Sequence, residues 1–119
     1  VYDSAGWLLD HIGEAPALVI PCVEGRVPDG APSGMAAAVY GSIYPAMWSF
    51  QLALRSRGLG STLTTIHLFF EKEVAALLKM PEDVMQVALL PVAYTKGTDF
   101  KIAKRPSPEE ITSFDTWTT

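Results

Sequence analysis

Cysteine occurs once in the 119 residues, at Cys22, so no disulfide can form within the chain and a cross-linked scaffold is excluded. A lone thiol suits a reducing compartment, and the expected location is cytoplasmic. Histidine occurs twice, and no Cys-x-x-Cys or His-x-x-x-His pair is present from which to build a zinc site, so no metal is expected. Positive charge is scarce as well. Nine Lys and Arg stand against thirteen Asp and Glu, a formal net charge of −4, whereas general nucleic-acid binders carry a basic face. Asp3 and Asp10 lie where a secretory or transit signal needs positive charge. Charge of either sign is missing between Gly30 and Leu54. Pro32, Gly34, Gly41, Ser42, Pro45, Ser49 and Gln51 nevertheless interrupt that stretch, and a membrane span wants ~20 predominantly apolar residues in one run. There is no Gly-x-Ser-x-Gly elbow, and Gly58-Leu59-Gly60 lacks the later glycine of a phosphate-binding loop.

What is present is apolar: 49% of the residues are hydrophobic and 18% charged, which excludes a disordered segment and predicts one domain with a core of its own. A domain of this length removes roughly 60 to 70% of its unfolded-chain surface from water. Ala5, Leu8, Leu9 and Ile12 recur at helical spacing from the first residues, with Gly13 and Pro16 as the stop. Because the chain opens on Val1 with this pattern already running, a fragment, a processed chain or a chain lacking its N-terminal part is expected. Ala17 to Val23 is a continuous apolar run and predicts a strand buried on both faces, with Pro21 near an edge or end. Glu24 to Gly34 is a Gly- and Pro-rich loop. A helix is expected from Ser42, its cap, with Pro45 in the first turn and Gly58 as the left-handed stop after Arg57. Its residues are apolar on nearly every face, which predicts burial all round, under a sheet or a second subunit. Gly60 to Ile66 reads as a strand, Glu71 to Lys79 as a short helix, Val84 to Val92 as a buried strand, and Ser107 to Glu110 as a helical turn in an otherwise extended tail.

Few side chains suggest chemistry on their own. His11 reads as a surface residue on the first helix, and His67, just past a strand end, as structural or merely exposed. Cys22, inside an apolar run with no basic neighbour nearer than Arg26, reads as buried and inert. Glu109 and Glu110 are adjacent and do not face one another on a helix, so they read as a solvated first turn rather than a carboxylate dyad. Tyr40, Tyr44 and Trp48 read as core. The basic run Lys101, Lys104 and Arg105 taken alone is a solvated tail.

Taken in order, APALVIPCV, IYPAMWSFQLALRSRGLGSTLTT, LLKMPED, VALLPVAYTKG and KRPSPEEI resemble the C-terminal half of the nitroreductase family of flavin oxidoreductases. The resemblance implies an α+β fold of three α/β/α layers, a central, mostly antiparallel sheet flanked by helices, with the N-terminal part missing. Residues 1–119 would be one partial domain and residues 97–119 an extended C-terminal arm reaching over a partner. It also implies FMN at a homodimer interface and NAD(P)H as co-substrate, with nitroaromatics, quinones or related small molecules as electron acceptors. Reductive dehalogenation is the related alternative, and a non-catalytic dimerisation or binding fragment is the alternative from another class. The family's flavin-lining segment matches Leu63, Thr64 and Thr65, with Thr65 nearest the ring N5. The late basic residue that reaches the FMN phosphate matches Arg105, with Lys104 as a helper, because a guanidinium fork suits a phosphate dianion. No residue of the chain is expected to act as catalytic acid or base, since the flavin carries the hydride. The family's N-terminal Arg-Arg-Ser type motif does not occur in these residues, so half a flavin site is expected.

Overall fold

The apolar run around Leu90 becomes the centre of the fold. The computed structural model describes residues 2–97 and 99–117. Every residue from Met85 to Val92 is buried, with Val87, Ala88 and Leu90 wholly out of solvent. This run is broken into β4 (Val84–Gln86) and β5 (Leu90–Tyr94), where the sequence predicts one strand. The apolar run before it divides in the same way, into β1 (Ala17–Val19) and β2 (Cys22–Glu24). β1 and β3 (Leu59–Ser61) flank β5 in one sheet, and β2 pairs with β4 in another; all of these pairs are antiparallel. Pro21 has no N–H with which to continue a ladder, so the chain steps between sheets there. Its carbonyl accepts from the Val87 amide at 3.0 Å, which joins the two breaks. Leu18 is half exposed, so β1 is not covered on both faces as its run of apolar residues predicts.

A second proline shapes β3. Leu59, Gly60 and Ser61 face Tyr94, Ala93 and Val92, and Thr64 faces Leu89 in the same register, which places Thr62 opposite Pro91. Pro91 has no N–H for the Thr62 carbonyl, and the ladder lapses. It resumes where Thr64 and Leu89 exchange bonds of 3.0 and 2.8 Å. The strand predicted over Gly60 to Ile66 is therefore regular only as far as Ser61. From Ile66 to Phe70 the chain forms a 3-10 turn leading into α3 (Glu71–Leu78), which ends where Lys79 adopts φ 53°.

The N-terminal helix α1 spans Tyr2–His11 and tightens into a 3-10 turn over Ile12–Glu14, as the spacing predicts. The central helix α2 spans Ser33–Arg55 and so begins nine residues before the expected Ser42. The Pro32 carbonyl accepts from Met35 and Ala36, and three successive alanines carry the helix forward. Pro45 is thus interior, and it leaves the Gly41 carbonyl without its helical donor. Ser42 is no cap: its hydroxyl donates back to the Val39 carbonyl at 2.7 Å. The stop is as expected, with Gly58 at φ 73°.

Of the 23 residues of α2 only Met47 and Leu54 are buried, and Trp48 is 62% exposed. Burial all round is not met within one chain. Met47 packs with Met85, Val87, Ala88 and Leu90 into a small core edged by Val19, Val23, Val39 and Ile43. The radius of gyration is 17.4 Å, against about 13 to 14 Å for a compact domain of this length. The accessible surface is 9624 Å², where a compact monomer of this mass shows roughly 6,300 Å². The self-sufficient core predicted from composition is not formed; the same apolar residues lie largely on the surface.

Gly60 sits close against the neighbouring strand end. A Cβ there would lie 2.6 Å from Thr95 Cγ2. Gly60→Ala is expected to cost about 1 to 3 kcal/mol in urea unfolding. Thr95→Ser, which removes Cγ2 and keeps the hydroxyl bonded to the Gly58 carbonyl, should recover most of that loss. A Gly60→Ala variant as stable as the parent would disprove the close approach.

Candidate functional site

The geometry of β3 decides what Leu63, Thr64 and Thr65 present. Thr64 spends its amide and carbonyl on Leu89. In an antiparallel ladder the residues on either side of such a pair turn their main-chain groups the other way. The Leu63 and Thr65 amides therefore face outward, and they donate to no partner among the described residues. The Thr64 hydroxyl accepts from the Ile66 amide at 3.3 Å, and the Thr65 carbonyl accepts from Leu68 at 3.0 Å, so the turn after the strand is braced. Leu63 and Thr65 are exposed and Thr64 is half-buried. The segment is a rigid strand edge offering two amides and the Thr65 hydroxyl.

Lys104 and Arg105 stand together on the exposed tail. Among the described residues no hydrogen bond or ion pair joins either of them to the Leu63–Thr65 segment. The structure brings together the three strand-end residues and, among the described residues, bonds neither cation to them.

A polar hub anchors the other end of the same turn. Arg26 Nη2 donates to both Glu71 carboxylate oxygens at 2.9 and 2.8 Å, and Nη1 donates to the Val84 carbonyl at 3.0 Å. The buried Gln86 side chain donates to the Glu71 carbonyl at 2.9 Å. This clamp fixes the start of α3 against β4, so the turn Ile66–Phe70 is held at both ends. Sequence reasoning missed the hub, because Arg26 lies in a Gly- and Pro-rich loop and Glu71 is an ordinary first-turn acid 45 residues away. No sequence signal pairs them.

The remaining candidates are structural. The Cys22 thiol is half-buried and donates to the Ile20 carbonyl at 3.4 Å. Burial, then the nearby Glu71 carboxylate, pushes its pKa up, which keeps it a thiol and agrees with the inert reading. His11 is half-buried rather than on the open surface: its ring stacks on Trp7 at 4.3 Å and its Nδ1 donates to the Trp7 carbonyl at 2.8 Å. Tyr40 and Tyr44 stack at 6.1 Å, but Tyr44 and Trp48 are exposed and do not form the core expected of them. Glu109 and Glu110 are solvated, as expected; the Glu109 carboxyl is held below its ordinary pKa by its own backbone amide and then by Ser107. No group of three potential metal ligands occurs among the described residues. None of their helices is long and apolar enough to cross a membrane.

His67 is the most constrained titratable group of the turn. Both ring nitrogens are buried and lack a partner among the described residues. Burial pushes its pKa below the usual histidine value, and Glu71 offsets this in part. The unfolded chain therefore binds the proton more readily, and stability is lost as pH falls from about 6.5 toward the lowered folded value. Urea midpoints between pH 7.5 and 5.5 should decline, and His67→Gln should flatten that decline. An equal slope in both proteins would remove His67 as its source.

A cavity of about 880 Å³ lies between α1, the β3–β5 end of the sheet and the start of the tail. Its lining includes none of Leu63, Thr64, Thr65, Lys104 and Arg105. Compared with known protein families, residues 2–94 match the nitroreductase family. Neither the curated proteins nor the solved structures include a significant match to the chain.

Proposed function

The chain belongs to the nitroreductase family, and from that premise we propose that it works as an FMN-dependent oxidoreductase passing electrons from NAD(P)H to nitroaromatic, quinone or similar acceptors. The observation that carries the reading is the outward-facing edge at Leu63 and Thr65, two amides with no described partner on a segment fixed at both ends. Such an edge fits the nitrogen and carbonyl rim of a flavin ring, which accepts hydrogen bonds from rigid donors. When bound, FMN supplies the two-electron chemistry. The Thr65 amide and hydroxyl would hold the ring near N5, the Leu63 amide would hold its rim, and Arg105 with Lys104 would bind the phosphate through charge-assisted bonds.

The second part of the proposal is a homodimer. The chain exposes roughly 3,300 Å² beyond the expectation for a compact monomer. That exceeds the roughly 1,000 to 2,500 Å² per subunit buried in an obligate interface. Trp48 and Leu52 on α2, with Phe114 and Trp117 on the tail, provide large apolar side chains for such an interface.

Flavin binding, activity and association state test the reading. The 119-residue chain should bind FMN weakly in a fluorescence titration, because it supplies only the strand edge and the late cations; stoichiometric yellow flavin on the purified chain would contradict this. In a chain extended upstream of Val1, NAD(P)H-dependent reduction of a nitroaromatic should accompany flavin binding, and Arg105→Ala should weaken FMN about tenfold. Unchanged flavin retention after dialysis would take Arg105 out of the site. Sedimentation should show a dimer whose dissociation constant rises about 30-fold in Trp48→Glu, the effect of losing a central aromatic anchor. A monomer at all concentrations would remove the dimer.

A further inference from the structure

The loop that carries Arg26 holds a pair of residues whose chemistry the flavin reading does not use. The chain has no asparagine and six aspartates, and only Asp29 is followed by glycine. Pro28 to Ala31 form a β-turn closed by the Ala31 amide on the Pro28 carbonyl at 3.0 Å, with Gly30 in the third position at φ 74°, as in a type II turn. Asp29 and Gly30 are both exposed. Among the described residues the Gly30 amide donates to no partner, and the Asp29 carboxylate makes no ion pair or hydrogen bond. No heavy atom beyond the adjoining residues lies within 4 Å of where a Gly30 Cβ would stand, so that side of the nitrogen is open.

The other aspartates are held differently. Asp3 and Asp10 lie in α1, where helical backbone keeps the next amide away from the carboxyl carbon. The amide after Asp83 donates to the Pro81 carbonyl at 3.2 Å, and the amide after Asp115 donates to the Phe114 carbonyl at 2.6 Å. Asp99 precedes Phe100, whose side chain crowds the nitrogen as a glycine does not.

From this contrast we propose that Asp29 and Gly30 form a self-modification site, at which the chain isomerises to L-isoaspartate without a cofactor or a second enzyme. The Gly30 nitrogen attacks Asp29 Cγ in its acid form. The N–Cγ bond forms, the Cγ–OH bond breaks, and one water leaves with the carboxyl oxygen and the amide proton. Water then opens the five-membered imide. Addition at Cγ restores aspartate, whereas addition at the former main-chain carbonyl leaves the chain running through Cβ and Cγ; no electrons change hands. The isoaspartyl product adds one carbon to the backbone of the turn and exposes a new α-carboxylate, three residues from the Arg26 that clamps Glu71. The reaction needs no bound flavin, so it stands or falls apart from the proposed function.

The test ages the 119-residue chain at neutral pH and body temperature, and counts isoaspartate by methyl transfer from S-adenosylmethionine with an isoaspartate-specific methyltransferase. Tryptic cleavage after Arg26 and Arg55 releases Val27 to Arg55, which should split with time into two species of equal mass and a minor one lighter by a water. Isoaspartate in this peptide should exceed that in all the others together. Its rate of formation should lie within about tenfold of that in the isolated peptide, because one exposed hydrogen bond closes the turn. Asp29→Glu, which would have to close a six-membered ring, should lose the signal. No isoaspartate at Asp29, a rate below that range, or a signal that survives Asp29→Glu would overturn the proposal.

Discussion

The backbone from Met85 to Val92 is the constraint on which the rest of this structure depends. It is buried along its whole length, and both sheets use it: β2 pairs with its first part, and β1 and β3 flank its second. A buried strand must satisfy its main-chain groups on neighbouring chain, because water cannot. The two prolines mark where a ladder donor is missing. Pro21 ends one ladder and begins another, while Pro91 interrupts β3 opposite Thr62 and hands the chain on to Thr64.

That interruption creates the candidate flavin edge. Once Thr64 is tied to Leu89, pleat alternation turns the amides of Leu63 and Thr65 outward, and the following turn is held by the Arg26–Glu71 clamp. Preorganised donors suit a ligand whose electron distribution changes on reduction, since they need no rearrangement as charge develops. Burial favours the neutral forms of Cys22 and His67, pushing the thiol's pKa up and the imidazole's down, so the surroundings of the hub are structural rather than reactive.

Hydrophobicity that composition assigns to an internal core lies instead on the surface of α2, α3 and the tail. The core that does form is small, centred on Met47, Met85, Val87 and Leu90. An α2 that is apolar all round is covered on one face only. The proposed dimer would give the remaining faces a partner.

Local signals in the sequence were sufficient for the helix stop at Gly58, the short helix from Glu71, the turn at Ser107 to Glu110, the α+β class and the order of motifs that identifies the family. Each depends on residues within a few positions of one another, where backbone preference and capping decide the outcome. Strand boundaries were not legible in this way. Whether Thr62 or Thr64 finds a partner depends on what stands opposite, and Pro91 is 29 residues away from Thr62. The start of α2 was misplaced because Ser42 and Pro45 look like a helix entry, while the Pro32 carbonyl and the alanines after Met35 extend the helix upstream of them. The Arg26–Glu71 pair and the Arg55–Phe100 stack were beyond any sequence reading. Each joins residues about 45 positions apart, and only the folding of the chain around Met85 to Val92 sets such distances. The sequence by itself determined the family and the local conformations; the tertiary structure decided which amides stay open to a ligand and which apolar faces stay open to a partner, because both are settled by what lies across space.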